Sequence, residues 1–339
     1  MILRYRFFII DLLRLAGSLN FSRVFNYLRM RWGLLLSNIT GKVKVYGGPF
    51  SVSTEVASVC NLRCPECRVG QGLTRRSRPF MDRQTLKTIL DAHRKHAFYA
   101  NLYFQGEPML NVQLAELIGI AKKKRYYTSI STNGQFLNQE SCASLVNSGL
   151  DRIIISLDGL SEKSYLQYRK GGSFQRVLKG IEFLNLARKT LKKNNPLIVI
   201  QVLVNRHNEE EIPAVRNLAG KLGADLVQLK SMQVYNKENA GELLPQNSKY
   251  NRYQRKEKNR QNGLKSGRKK ACYRLWSHAV YTSDAILVPC CYDKLPEFPL
   301  SEEGSFVERE NWFSPEMYAF RERVMQRREK TGICCNCAL

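Results

Sequence analysis

The sequence predicts an α/β fold in which parallel strands, wound with helices, close most of a barrel, and three features lead there. From Ser51 to about Met232, short runs of β-branched and aromatic residues alternate with amphipathic stretches of helical period. The alternation makes six units, and right-handed connections between parallel strands curl such units round. The polar, glycine-bearing segments fall after the strands, at the end where barrels carry their sites. The expected architecture is a partial (β/α)6 TIM-like barrel, preceded by helices and followed by a small cysteine-rich domain.

Strands are expected over residues 51–59, 99–104, 127–131, 152–156, 197–204 and 225–230, with helices around 82–95, 112–124, 139–148, 175–191 and 209–222. Residues 1–48 read as two helical segments interrupted near Gly17 and Asn20. Charges at Arg4, Arg6, Asp11, Arg14, Arg29 and Arg31 break both before the roughly 20 apolar residues of a membrane span. Phe7, Phe8, Leu12 and Leu15 among arginines suit either a lid packed on the barrel or an amphipathic segment on an anionic membrane surface. A secretory signal is disfavoured, because no small-residue cleavage site follows.

Lys and Arg outnumber Asp and Glu by 54 to 29, a formal charge of +25, so an anionic partner is expected: an acidic or lipid-linked substrate, or a membrane face. Nucleic acid ranks last, since no zinc-finger or RNA-recognition signature accompanies the charge. Of the ten cysteines, three form an opening triplet, Cys142 stands alone and six follow position 271. Such clustering favours metal clusters over disulfides and a reducing, cytoplasmic setting, peripheral on the inner membrane face if the helices bind lipid.

The triplet Cys60, Cys64 and Cys67, in CNLRCPEC, is spaced for three irons of a four-iron cluster and leaves the fourth iron open to a reactant. A zinc site or unlinked core thiols are the alternatives. After the second strand comes Phe104-Gln105-Gly106-Glu107-Pro108, where the glycine permits close backbone approach, the proline fixes the turn, and Glu107 can accept from an ammonium. Ser131-Thr132-Asn133-Gly134 closes the third strand and also reads as a plain Asn-Gly turn. Ser156 and Asp158, two apart, share a side, and Arg169 can grip a carboxylate in a fork. Gln201 and Lys230 could face the cavity.

Together these motifs resemble the radical S-adenosylmethionine (SAM) superfamily, over the chain from Ser51 onward. The resemblance implies a [4Fe-4S] cluster on Cys60, Cys64 and Cys67 with SAM at its open iron. It implies that Gln105, Gly106, Glu107 and Pro108 hold the SAM amino group, that Thr132 is a further SAM-binding residue, that Ser156 and Asp158 flank the ribose, and that Arg169 meets the carboxylate. It further implies a 5′-deoxyadenosyl radical that abstracts hydrogen from a polar or lipid-linked substrate, in oxidation or epimerisation, and a low-potential donor of flavodoxin or ferredoxin type. One departure is Glu66, which stands where many members carry an aromatic residue near the adenine.

Residues 236–271 form a basic connector, with ten Lys or Arg and one acid from Lys249 to Lys270, expected as a solvated linker. Cysteines return in 272–339 as Cys272, Cys290, Cys291, Cys334, Cys335 and Cys337, around Trp276, a hairpin-like run turning at Ser283-Asp284, and Trp312. The layout resembles a twitch or abbreviated SPASM domain, implying a second, auxiliary [4Fe-4S] cluster on Cys272, Cys290, Cys334 and Cys337. Cys291 and Cys335 are then spare thiols and speculative hydrogen donors, while Cys142 suits the core. A zinc ribbon is the structural alternative. Two other functions stay open. One is a peptide-modifying maturase, although the N-terminal helices do not look like a winged-helix leader module; the other is a non-catalytic iron-sulfur scaffold or membrane adaptor.

Overall fold

The structure, a computed structural model, describes residues 2–235, 239–254, 263–264, 270–303, 312–335 and 337 of the 339-residue chain. Most of the basic connector's charge run, residues 255–262 and 265–269, lies outside the described residues. Two helices, α1 (Ile2–Ala16) and α2 (Phe21–Thr40), precede the barrel. Its strands are β1 (Ser51–Thr54), β2 (Tyr99–Asn101), β3 (Tyr127–Thr132), β4 (Arg152–Ser156), β5 (Leu197–Val204) and β6 (Leu226–Ser231). The intervening helices are α3 (Arg83–Ala92), α4 (Leu114–Lys123), α5 (Gln139–Asn147), α6 (Glu162–Tyr168), α7 (Phe174–Thr190) and α8 (Ile212–Lys221).

Local chemistry explains where these helices start. Side chains of Asp82, Asn138, Ser161 and Ser173 accept from backbone amides in the first turns of α3, α5, α6 and α7, satisfying donors that a helix start leaves open. The short α6 was not expected from periodicity. It is held by the reciprocal Ser161–Ser164 capping box. β1 and β2 end earlier than expected, because the chain leaves the sheet to form the cysteine loop and the QGEP turn.

Alternate residues divide the packing. Ile153, Ile155, Ile198, Ile200 and Val202 are buried under the helices with Leu145, Val177, Ile181 and Leu184. Ile154, Leu197 and Val199 point to the other side, where Phe7 and Ile10 of α1 meet them. α1 therefore seats across the strands' amino ends: Arg14 donates to Asp151 O and to Asn194 O at 2.8 Å each, and Asp11 accepts from Tyr127 and Arg152. This is the lid arrangement anticipated as one reading of the N-terminal segment.

After β6 come α9 (Ala240–Leu243), a two-strand ribbon of β7 (Tyr253–Gln254) and β8 (Gly263–Leu264), and α10 (Tyr273–Ser277). The expected hairpin forms as β9 (His278–Tyr281) and β10 (Leu287–Val288). It continues the barrel sheet, β9 running parallel to β1 with Ser51 opposite His278 and Thr54 opposite Tyr281. The sheet has eight strands in the order β10-β9-β1-β2-β3-β4-β5-β6, all parallel except β10, and does not close. α11 (Pro315–Arg327) and α12 (Gly332–Cys335) follow, with Arg321 enclosed by the rings of Trp276, Trp312 and Tyr318 while donating to Leu275 O and Trp312 O. Among the described residues, no helix is long and apolar enough to cross a membrane.

Candidate functional site

The cysteine triplet lies on the loop that leaves β1 at the carboxyl end of the sheet, tied to the barrel at both ends. Arg63 N donates to Lys170 O at 2.9 Å, and Glu107 N donates to Val59 O at 2.8 Å. None of the three is in a disulfide, and donors address each sulfur. Leu62 N reaches Cys60 Sγ at 3.4 Å, Gly70 N reaches Cys67 Sγ at 3.4 Å, and the Arg169 guanidinium stands 4.0 Å from Cys64 Sγ. Donors of this kind tune thiolate-bound iron. Burial pushes the Cys60 thiol up to about 11 and raises that of Cys64, so iron binding would have to displace these protons.

Gly106 makes the next turn possible. Its φ is +67°, and a Cβ there would sit 2.2 Å from Ala57 O, on the backbone leading into the cysteine loop. Glu107 follows, fully buried. Its carboxylate accepts from Thr132 Oγ1 at 2.7 Å, Asn133 N at 2.7 Å and Met109 N at 3.0 Å, bolting the end of β2 to the end of β3. Burial raises its pKa, against the opposing pull of these donors. Pro108 opens the 3-10 turn that Glu107 caps. Asn133 donates to Asn61 Oδ1 at 2.8 Å and faces Cys60 Sγ at 3.7 Å, so the expected turn at Asn133-Gly134 also braces the cysteine loop.

Asp158, expected beside the ribose, is held within the protein by two partners. Its Oδ2 pairs with Arg169 Nε at 2.6 Å and its Oδ1 accepts from Leu203 N at 2.7 Å, all within a buried setting. This pairing, together with the neighbouring Cys64, holds Arg169 as a cation despite burial, well above its usual range. Ser156 is buried opposite Gln201, on the side of β4 that looks into the barrel. Gln105 donates to Lys294 O at 2.9 Å, where Arg76 also donates at 3.1 Å. Glu66 accepts from Tyr235 N at 2.6 Å and Asn239 Nδ2 at 2.7 Å, tying the cysteine loop to the segment after β6.

The mouth is cationic. Arg68 and Lys294 lie over the Tyr235 ring, at 4.4 and 4.8 Å from its centroid, and Arg252 donates to Ser231 Oγ at 3.1 Å. Lys230 reaches water yet sits in the hollow, where burial and the cations Lys294, Arg274 and Arg252 lower its ammonium while Cys291 raises it. Cys291 accepts from Arg274 Nη1 at 2.9 Å. Burial lowers the Lys294 ammonium, and Cys67 and Cys291 both act against that shift. No sequence motif marked Lys294, Arg274 or Tyr235.

Cys272, Cys290, Cys334 and Cys337 line one cavity with Arg274, Leu275, Tyr292, Arg328 and Ile333. Cys291 and Cys335 do not line it; Cys335 is exposed and donates to Glu329 O at 2.9 Å. The free space is only about 10 Å³, so a cluster would spread the thiols apart, but an all-sulfur donor set drawn from three segments fits one. Among the described residues, no three His, Cys, Asp or Glu side chains are grouped as ligands of a single ion. Cluster thiolates each meet their own iron and need no such convergence. Cys142 is buried in the core against Gly180 O.

An open barrel with three addressed thiols at its carboxyl end defines a class, and sequence comparison agrees with it. Residues 54–219 match the Radical SAM superfamily, so this part of the chain is a radical SAM domain, with the [4Fe-4S] cluster and SAM that the family uses. The chain is similar to PqqA peptide cyclase of Gluconobacter oxydans, 28% identical over 188 residues, 55% of this chain and 50% of that protein. It is also similar to mycofactocin maturase MftC of Mycolicibacterium smegmatis, 31% identical over 179 residues, 52% of this chain and 43% of that protein. The match thus spans half or less of these relatives' length. In fold it resembles Streptococcus suis SuiB bound to precursor peptide SuiA, with a TM-score of 0.60 at 15% identity, over 91% of this chain and 73% of that one.

Proposed function

We propose that the chain is a radical SAM enzyme that modifies a peptide. The observation carrying this reading is the similarity of the chain to a peptide cyclase and a mycofactocin maturase. It replaces the small polar or lipid-linked substrate as the leading expectation. In this reading Cys60, Cys64 and Cys67 hold the first cluster, and Cys272, Cys290, Cys334 and Cys337 a second. Bound SAM supplies one chemical capacity, removal of a hydrogen atom from an unreactive carbon.

The protein's own groups orient and insulate. Glu107, fixed by three donors, keeps a carboxylate beside the cysteine loop for an ammonium. Arg169, aimed by Asp158, offers its guanidinium next to Cys64 for a carboxylate. Ser156, on the barrel-facing side of β4, offers a hydroxyl for the ribose, while Asp158 gives one acceptor site of each oxygen to Arg169 and Leu203. Gln105 and Arg76 hold the Lys294 loop over the mouth and help exclude water. Of the two speculative hydrogen donors, Cys291 borders the cationic mouth and Cys335 does not. Reduction calls for a flavodoxin- or ferredoxin-type donor, and the free thiols for a reducing, cytoplasmic compartment.

A second reading, a polar or lipid-linked anionic substrate, draws on the cations Lys230, Arg252, Arg274 and Lys294 around the mouth. Deuterium transfer separates the two. With peptides from deuterated cells as the hydrogen source, 5′-deoxyadenosine should gain deuterium; label gained only from the lipid or sugar fraction would overturn the peptide reading.

A further inference from the structure

The helix α2 is amphipathic the wrong way round for a helix lying on a barrel. Its buried face carries Arg23, Asn26, Met30, Gly33 and Ser37. Arg23 donates to four main-chain carbonyls, those of Ser18, Arg94, Lys124 and Arg125, and Asn26 exchanges hydrogen bonds with Gly48. A Cβ on Gly33 would stand 2.7 Å from Lys44 O, so the helix is clamped close. The opposite face holds Phe21 at 86% exposure, Val24, Phe25, Leu28 at 58%, Trp32 at 56%, Leu35 and Ile39 at 68%. At the pitch of an α-helix these residues form one stripe, with Arg29 and Arg31 about 80° to either side of its midline. An apolar stripe of this extent marks a surface that something covers.

Charge identifies the occupant. Arg29 and Arg31 are exposed beside the stripe, placed to let an apolar body sink while their heads stay in water. At the amino end of α2 a cleft of about 390 Å³ is lined by Asn20, Ser22, Arg23 and the basic residues Arg94, Lys95, Lys123, Lys124 and Arg125. Lys124 is paired with Asp91 and Arg23 with carbonyls, while Arg94, Lys95 and Lys123 are exposed. The chain as a whole carries +25. We infer that the α2 face is a membrane-docking surface that takes an anionic phospholipid bilayer, the stripe entering the headgroup-acyl boundary and the cleft receiving acidic headgroups. The α1 side chains Phe8, Ile9, Leu12 and Leu13 are exposed in the same hairpin of helices. The surface is separate from the cysteine loop, and the inference does not depend on the peptide reading.

The test uses the full chain, purified anaerobically. Deleting the helices is unsuitable, because α1 packs into the barrel. Trp276 and Trp312 are buried, so Trp32 is the tryptophan open to the medium and reports directly. Vesicles of phosphatidylcholine with about one-third phosphatidylglycerol should float the protein, blue-shift its emission and, when brominated, quench it; pure phosphatidylcholine should do so far less. Leu28→Ser with Trp32→Ser should abolish flotation while the circular dichroism spectrum is unchanged. Lys95→Glu with Lys123→Glu should keep Trp32 as the probe and weaken binding roughly fivefold or more per charge. Equal flotation of wild type and both variants would overturn the inference. So would a concentration-dependent dimer that buries Trp32 without vesicles, which would assign the face to a second copy of the chain.

Discussion

Asp158→Asn separates the geometry seen here from the ribose role that resemblance implied. Asp158 is fully buried and its two oxygens serve two partners, Arg169 at 2.6 Å and the amide of Leu203 at 2.7 Å. An asparagine has one acceptor oxygen. It can serve the guanidinium or the amide, and its NH2 then opposes a donor. Arg169, only 16% exposed at its side chain, would be left as an uncompensated cation. Removing one partner of a buried pair costs about 3–5 kcal/mol, which corresponds to a melting temperature lower by roughly 5–15 °C. Replacing both, as Asp158→Leu with Arg169→Met, should recover part of that loss, since the pair's desolvation disappears with it. Thermal melts of wild type, Asp158→Leu, Arg169→Met and the double variant give the coupling energy directly. A single Asp158→Asn variant as stable as wild type but deficient in SAM binding would refute the reasoning and return Asp158 to the ribose.

Three further outcomes are expected. Gly106→Ala places a methyl 2.2 Å from Ala57 O at a φ of +67°, so it should displace the cysteine loop and lower iron retention at least tenfold, measured after desalting. His93 is buried against Tyr281 Oη at 2.8 Å, and burial followed by His96 lowers its pKa from 6.5 to about 3. The unfolded chain therefore takes up this proton first as pH falls; stability is whole above about 6.5 and drops by about 1.4 kcal/mol per unit below it, and His93→Gln should flatten the slope in melts at pH 7.5 and 5. Cys290→Ala should cost the enzyme about four irons while Cys335→Ala costs none, because only the former lines the shared cavity; equal losses in iron analysis would dissolve that assignment.

What the sequence disclosed, and what it hid, follows from the range of the interactions. The six-unit alternation was legible because each strand and helix signals its own buried face locally, and the auxiliary cysteines because thiols grouped in sequence are easily grouped in space. The pairing of β9 with β1 was not, since it joins residues more than two hundred positions apart with no local mark. For the same reason Lys294 and Tyr235 went unnoticed, as did the tether from Glu66 to the segment after β6. Asp158 follows its strand as expected, while its partners Arg169 and Leu203 come from other elements and leave no local mark in the sequence. The sequence marked the second N-terminal segment as helical and rich in apolar residues, yet only the packing of Arg23 and Asn26 revealed that the polar face of α2 turns inward.

The central claim is that Cys60, Cys64 and Cys67 carry a SAM-cleaving cluster at the barrel mouth, apart from a second cluster near the C-terminus. Iron, sulfide and 5′-deoxyadenosine release, measured after anaerobic reconstitution of wild type and of the Cys60/Cys64/Cys67 triple alanine variant, test it together. Wild type should carry roughly eight irons and release deoxyadenosine under reduction, and the variant about four irons with no release. Wild-type protein that binds iron but releases no deoxyadenosine, or a variant that still does, would contradict it.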